Sequence, residues 1–157
     1  HQLPKRYRGI LELAALLHEI GIFISTKSKH KHSMYLILNS DFFGIGNFDR
    51  KLMALVARYH RGASPLPRHE GYSRLTRENR VLVVKMAAIL RIAKSLDVGK
   101  AQRIESITCV EKEDRIEIFP SDVAEFSAEN IELQQVRTLF EDIFGKGIAL
   151  ETASNQS

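Results

Sequence analysis

A chain of 157 residues with 44% hydrophobic and 27% charged side chains has the balance of a soluble globular protein, with room for one ordinary domain or a domain plus an appendage. No apolar run approaches the ~18 residues of a membrane span, and the amino end lacks the charged, apolar and small-residue succession of a secretory signal. The single cysteine, Cys109, excludes an internal disulfide; it falls in an expected strand and reads as a buried, inert thiol in a reducing cytoplasm.

Charge is more telling when divided along the chain. Residues 1–104 hold 19 Lys and Arg against 7 Asp and Glu, a balance of +12, while residues 105–157 hold 4 against 12, a balance of −8. Such a separation of sign points to two modules, the first facing a polyanion; the alternative is mutual neutralisation across an interface.

In chain order, His1 to Arg8 has Pro4 and no apolar period, and reads as a loop. Ile10, Leu13, Ala14, Leu17 and Ile20 follow helical spacing, with Gly21 expected as a left-handed stop. Ile22-Phe23-Ile24 is expected to be an extended link. Lys27 to His32 is a basic loop turning into a helix that Met34, Ile37 and Leu38 continue. Gly44-Ile45-Gly46 is a turn, and Asn47 a candidate N-cap for a helix from Phe48 to about His60 that buries Leu52, Leu55, Val56 and Tyr59. Gly62 to Gly71 is a loop. Thr76 or Arg77 opens the longest helix, expected to bury Val81, Val84, Ala88, Ile92 and Leu96.

Beyond Gly99 the pattern changes. Ile104–Cys109 and Ile116–Pro120 flank a charged turn at Lys112-Glu113-Asp114, a hairpin signal. A helix from Ile131 or Leu133 to Phe144 carries Val136, Leu139, Phe140 and Ile143 on one face. Ile148-Ala149-Leu150 suggests a third strand, followed by a polar tail. The expected organisation is thus a mainly α domain over residues 1–101 and a small α/β module (hairpin, helix, short strand) over residues 102–157.

Four stretches put polar chemistry at the edge of an apolar helix, and a helical bundle can bring such edges to one pocket. His18 and Glu19, with His60 and Asp97, are donors suited to a divalent metal, although helix-edge histidines also serve as hydrogen-bonded packing residues. Lys29, His30, Lys31 and His32 form one compact donor cluster, and Arg58, His60 and Arg61 another; converging N–H groups of this kind suit phosphate oxygens. Arg74, Arg77 and Arg80 near a helix start oppose the helix dipole unless an anion or an acidic partner offsets them. Tyr35, Tyr59 and Tyr72 fall on apolar stripes and read as packing residues, and the lack of Trp and of aromatics interleaved with the bases makes nucleic acid a poor partner.

Taken together these motifs resemble a known family. Ala15-Leu16-Leu17-His18-Glu19-Ile20-Gly21 is similar to the "ALLHDIG" signature of HD-superfamily phosphohydrolases, and Leu90–Asp97 to their closing aspartate helix. Lys31–Ser40 and Arg58-Tyr59-His60-Arg61 resemble the "HS-x-Y-x-I-x-NS" and "RYHR" segments of the Ppx/GppA family of exopolyphosphatases and guanosine pentaphosphate phosphatases, and Leu139–Gly145 resembles that family's terminal helix. The resemblance implies an HD-like helical bundle lacking its first helix, followed by the α/β appendage. It makes this chain the non-catalytic, carboxy-terminal part of a cytoplasmic phosphatase, with magnesium in an actin-like catalytic lobe outside this chain and no cofactor here. It also implies a homodimer that binds polyphosphate or a guanosine polyphosphate through His18, Lys29, Lys31, His32, Arg58, His60 and Arg61. Glu19 stands where HD enzymes have aspartate, so no metal is expected; if one were retained, His18, Glu19, His60 and Asp97 would hold it. The alternatives are an independent metal-dependent HD phosphohydrolase and a purely structural packing domain.

Overall fold

The computed structural model describes residues 3–121, 123 and 125–152; the polar tail expected at the carboxyl end falls mostly outside them. The chain divides into two compact units, residues 1–90 and 91–157, and the architecture is mainly helical with a small α/β appendage.

The first unit is built on α1 (Arg6–Leu17), α2 (Lys29–Leu38) and α3 (Asn47–Arg58), together with the amino-terminal part of α4 (Arg77–Ser95). Arg6 to Arg8, expected in a loop, already belong to α1, because Pro4 accepts the Tyr7 N–H through its carbonyl and opens the helix rather than blocking it. Helix α3 is the centre. It packs against both α1 and α2, and every residue from Leu52 to Ala57 is buried. Gly46, not Asn47, is its N-cap residue; the Asn47 side chain instead accepts from Arg50 Nη2 at 2.6 Å.

Helix α4 shows where a single apolar stripe misleads. Its contribution to the first core is Leu82, Val83, Met86, Ala87 and Leu90, whereas Val81, expected inside, is 38% exposed. Further along, Ala88, Ile92 and Leu96 are buried as expected. The buried face changes along the helix, and the helix crosses the division between the two units. Two stripes of different phase therefore overlap in one run of sequence.

The loop between α3 and α4 is held by aromatic contacts. Tyr59 stacks on His69 at 5.7 Å and meets Tyr72 edge-on at 5.8 Å, and its hydroxyl bonds His69 Nδ1 at 2.9 Å. Arg80 donates to the carbonyls of Tyr72 and Ser73, so its charge at the start of α4 is met by backbone oxygens. Tyr35 departs from expectation: it is 60% exposed, on the outer side of α2.

In the second unit β1 (Ile107–Glu111) and β2 (Arg115–Pro120) form the expected antiparallel hairpin, and β3 (Gly147–Leu150) joins β2 in parallel after α5 (Ser127–Phe144). Gly145, at φ 67°, closes α5 in the left-handed conformation. Sheet order β1-β2-β3 makes β1 an edge strand, and α5 packs on β3. Cys109 on that edge is exposed rather than buried; residual desolvation still raises its thiol pKa.

The phase of α4 is open to a direct test. Met86→Ala is expected to cost about 2–5 kcal/mol of stability, and Val81→Ala to stay within about 0.5 kcal/mol, as read from urea unfolding midpoints. Equal losses would show that the helix faces inward along the other stripe.

Candidate functional site: two adjoining clusters

The site begins where α1 ends. His18 retains helical backbone angles as the C-cap residue, and Ile20–Phe23 then forms a 3₁₀ turn. Gly21 does not take the positive φ expected of a helix stop. Its role is steric: a Cβ built on it would overlap the Lys29 carbonyl oxygen and the Ser33 backbone nitrogen, so only glycine allows the turn to lie against α2. Ser33, fully buried, rivets the approach. Its hydroxyl donates to the His18 carbonyl at 2.7 Å and accepts the Gly21 N–H at 2.9 Å.

This turn carries the first cluster. His18 Nδ1 lies 2.5 Å from the Ala15 carbonyl, and His60 Nδ1 lies 2.5 Å from the Ala57 carbonyl. A carbonyl only accepts, so both Nδ1 atoms carry the hydrogen of these bonds. The rings meet edge to face at 4.7 Å, and one ligating atom from each of His18, Glu19 and His60 falls within 4.8 Å of the others. Two imidazoles and a carboxylate have the composition of a zinc-type donor set. The carboxylate, however, already has a cation: Lys29 Nζ sits 2.8 Å from Glu19 Oε1, with the two side chains only 17% and 14% exposed. A divalent ion would have to displace that ammonium or share a carboxylate with it against charge repulsion. As arranged, the donor set is closed on its carboxylate side by an ammonium. Asp97 lies in the second unit, where its carboxylate accepts the Gln102 N–H at 2.8 Å.

The second cluster is made of donors and centres on His30, which the basic run displayed but did not single out. Its pKa is pushed down first by burial and then by Arg61, Lys31, Arg58 and His32. The start of α2 and the end of α3 therefore aim their charges at one place. Arg58 and Lys31 also depress His69, whose largest cause is again desolvation, with Arg68 adding to it. Arg58 is steadied by the Met34 sulfur at 3.7 Å and by the Tyr59 ring at 5.6 Å. Among the described residues no carboxylate pairs with Lys31, Arg58 or Arg61, while elsewhere Arg6, Arg8, Arg115 and Lys146 each have one. The first turn of α2 has no acidic residue either, so its positive helix end is reinforced rather than offset.

The expected anion-binding residues thus fall into two neighbouring groups. Lys31, His32, Arg58 and Arg61 gather around His30. His18 and His60 donate through Nδ1 to backbone carbonyls, and Lys29 is engaged by Glu19.

Comparison with known proteins gives this geometry a setting. The family model described as Ppx/GppA phosphatase, domain III, matches residues 1–137. A protein of Pseudoalteromonas translucida named guanosine-5'-triphosphate,3'-diphosphate pyrophosphatase is 37% identical over 84 residues, 54% of this chain and 16% of its own length. One of the same name from Aeromonas hydrophila is 36% identical over 102 residues, 64% of this chain and 20% of its own. This chain therefore spans no more than about a fifth of these relatives.

Gly21→Ala is expected to lower stability by about 1–3 kcal/mol, because the added methyl meets backbone that cannot rotate aside. Gly9→Ala in α1, where a Cβ meets nothing within 4 Å, should raise it by about 0.5–1 kcal/mol. Thermal melts of the two variants give the comparison. Elemental analysis of the purified chain is expected to find no stoichiometric transition metal; one equivalent, lost on changing His18 or His60, would show that Glu19 exchanges its ammonium for an ion.

Proposed function

Because this chain belongs to the Ppx/GppA phosphatase family, we propose that it is the anion-gripping domain of a longer phosphatase and does not itself perform the hydrolysis. Its ligand is a chain of phosphates, whether inorganic polyphosphate or the polyphosphate arm of a guanosine nucleotide. Lys31, His32, Arg58 and Arg61 are the contacts, with His30 between them. Arg supplies a planar fork for two oxygens at once and Lys a mobile point charge. Phosphoanhydride cleavage and its magnesium belong to the part of the parent outside this chain.

The observation that carries this reading is that, among the described residues, no carboxylate pairs with Lys31, Arg58 or Arg61. Had the basic run been only a solvated or structural face, Arg58 and Arg61 would be expected to pair with the acidic groups available. Instead they crowd a histidine whose pKa is pushed down first by burial and then by their charge. The same crowding predicts a proton linkage. In the free protein the lowered His30 pKa removes stability as pH falls below about 6.5, where only the unfolded chain takes up the proton. A bound polyanion reverses the local field and favours the charged ring. Anion binding then draws in a proton, and affinity rises as the solution becomes more acidic.

Polyphosphate affinity measured against ionic strength tests the reading. Arg58→Ala and Arg61→Ala are each expected to weaken binding by about tenfold and to lower the salt slope by about 1. Affinity should increase from pH 7.5 to pH 5.5, and His30→Gln should flatten that rise. Unchanged affinity and slope in both arginine variants would remove the proposal.

A further inference from the structure

Strand β1 is an open edge of the three-stranded sheet, and the ladder fixes which of its backbone groups face outward. The Lys112 N–H donates to the Arg115 carbonyl, the Ser121 N–H to the Ser106 carbonyl and the Glu151 N–H to the Ile118 carbonyl. With Cys109 opposite Ile118, the alternation of an antiparallel pair turns Ser106, Thr108, Val110 and Lys112 toward β2. The N–H and C=O groups of Ile107, Cys109 and Glu111 therefore point away from the sheet, and among the described residues nothing meets them. Such a row is a template for one more strand. The usual guards are missing: Ile107–Glu111 contains no Pro or Lys, and its pairing with β2 runs without a bulge.

The side chains at this edge are apolar and open. Ile107 and Cys109 lie opposite Pro120 and Ile118, on one face of the sheet. Pro120 and Ile118 are buried, whereas Ile107 is 46% exposed and Cys109 is exposed. Beside Ile107 a hollow of about 650 Å³ opens within the second unit, with Ala93, Leu96 and Ile104 in its wall and Asp97 and Glu105 at it. Asp97 and Glu105 are exposed, and among the described residues neither pairs with a cation. Glu111, Glu117 and Glu141 in the same unit each do.

We propose that the β1 edge and this hollow receive an extended basic segment of a partner protein, which joins the sheet as a fourth strand. Its backbone bonds Ile107, Cys109 and Glu111, its apolar side chains cover Ile107 and Cys109, and a Lys or Arg enters the hollow against Asp97 and Glu105. Main-chain bonds supply affinity in such strand addition, and alternate side chains supply selectivity. The sign of the partner follows from charge, since residues 105–157 hold 4 Lys and Arg against 12 Asp and Glu. The same charge disfavours a second copy as the occupant. A self-pairing that engages all three outward residues is centred on Cys109 and sets Glu105 against Glu113 of the other copy, and like charges so placed are destabilising. The edge and the hollow belong to the second unit and the donor cluster to the first, so this surface stands apart from the anion reading.

The probe is the capped peptide Lys-Val-Lys-Val-Lys-Val, with Glu in place of every Lys as the control. Each is titrated into the 157-residue chain, and amide hydrogen exchange is followed residue by residue by NMR. Saturating Lys-Val peptide is expected to slow exchange at Ile107, Cys109 and Glu111 by at least about tenfold, leaving the already bonded Thr108 and Val110 as they were. The Glu-Val peptide should bind at least about tenfold more weakly. Asp97→Asn combined with Glu105→Gln keeps the Asp97 acceptor for the Gln102 N–H and should weaken the Lys-Val peptide by about fivefold. Circular dichroism verifies that the double variant folds.

Failure of the Lys-Val peptide to bind, or binding that leaves exchange at Ile107, Cys109 and Glu111 unchanged, overturns strand addition. Equal affinities for the two peptides, or a Lys-Val affinity untouched by the double substitution, overturn the basic partner. A dimer of the chain alone that sedimentation detects and Cys109→Pro abolishes would assign the edge to a second copy and overturn the proposal as well.

Discussion

The contact on which the rest depends is the approach of Gly21 to the first two turns of α2. Two backbones come so close that no side chain fits between them, and a buried serine hydroxyl satisfies one donor and one acceptor across the gap. Such a junction has little freedom to slide, because a shift in either direction drives backbone into backbone or leaves a buried polar group without its bond. The registration of α1 on α2 follows. It puts Glu19 within reach of Lys29 and fixes His18 against His60 on the end of α3. The chemistry of the site is a consequence of where one methyl group is forbidden.

That registration also sorts the polar groups by role. A polyanion approaching this surface would meet hydrogen-bond donors around His30, whereas the neighbouring imidazoles have their Nδ1 hydrogens committed to backbone carbonyls. An uncompensated carboxylate beside them would repel the polyanion. Lys29 compensates Glu19 at 2.8 Å, removing that obstacle at the edge of the basic cluster. Lys29, expected from its place in a run of lysines and histidines to be an anion contact, is engaged here by Glu19. Its neighbour Lys31, exposed on the next turn of surface, is the one left to act outward.

What could be read in the sequence, and what could not, follows the same physics. The stripe of α3 was legible because the helix is buried over most of its surface, so any apolar residue assigned inward was right. The hairpin and β3 were legible from turn chemistry and alternation. Val81 was misassigned because α4 carries two buried faces in succession, and periodicity averages them. Cys109 was misassigned because alternation says which side of a strand a residue takes, not whether anything covers that side; on an edge strand nothing needs to. Gly21 was recognised as a special glycine for the wrong reason, since a helix-ending glycine and a close-packing glycine look alike until the second backbone is in place. At the site, the two Nδ1 bonds to backbone carbonyls and the Lys29–Glu19 pair were not legible, because they depend on how the helices meet. His30 was hidden by its neighbours, for nothing in a run of four basic residues says which imidazole faces the arginines.

A helix that begins with Lys29, His30, Lys31 and His32 breaks a local rule, placing positive charge at the positive end of its own dipole. The cost is a few tenths of a kcal/mol or more for each exposed group, and desolvation of His30 adds to it. Proteins keep such conflicts where something other than the fold requires them. Here the conflict is local to the first turn of α2 and the end of α3, while the residues beneath it form a buried apolar core. An anion at this position would relieve the helix dipole, the crowded guanidinium groups and the desolvated histidine in one step. A ligand that binds only the folded state stabilises it in proportion to the logarithm of its concentration over its dissociation constant. On the proposed reading, the tension in the free domain and an affinity for a polyanion would be two descriptions of one electrostatic arrangement, and easing the first by mutation would weaken the second.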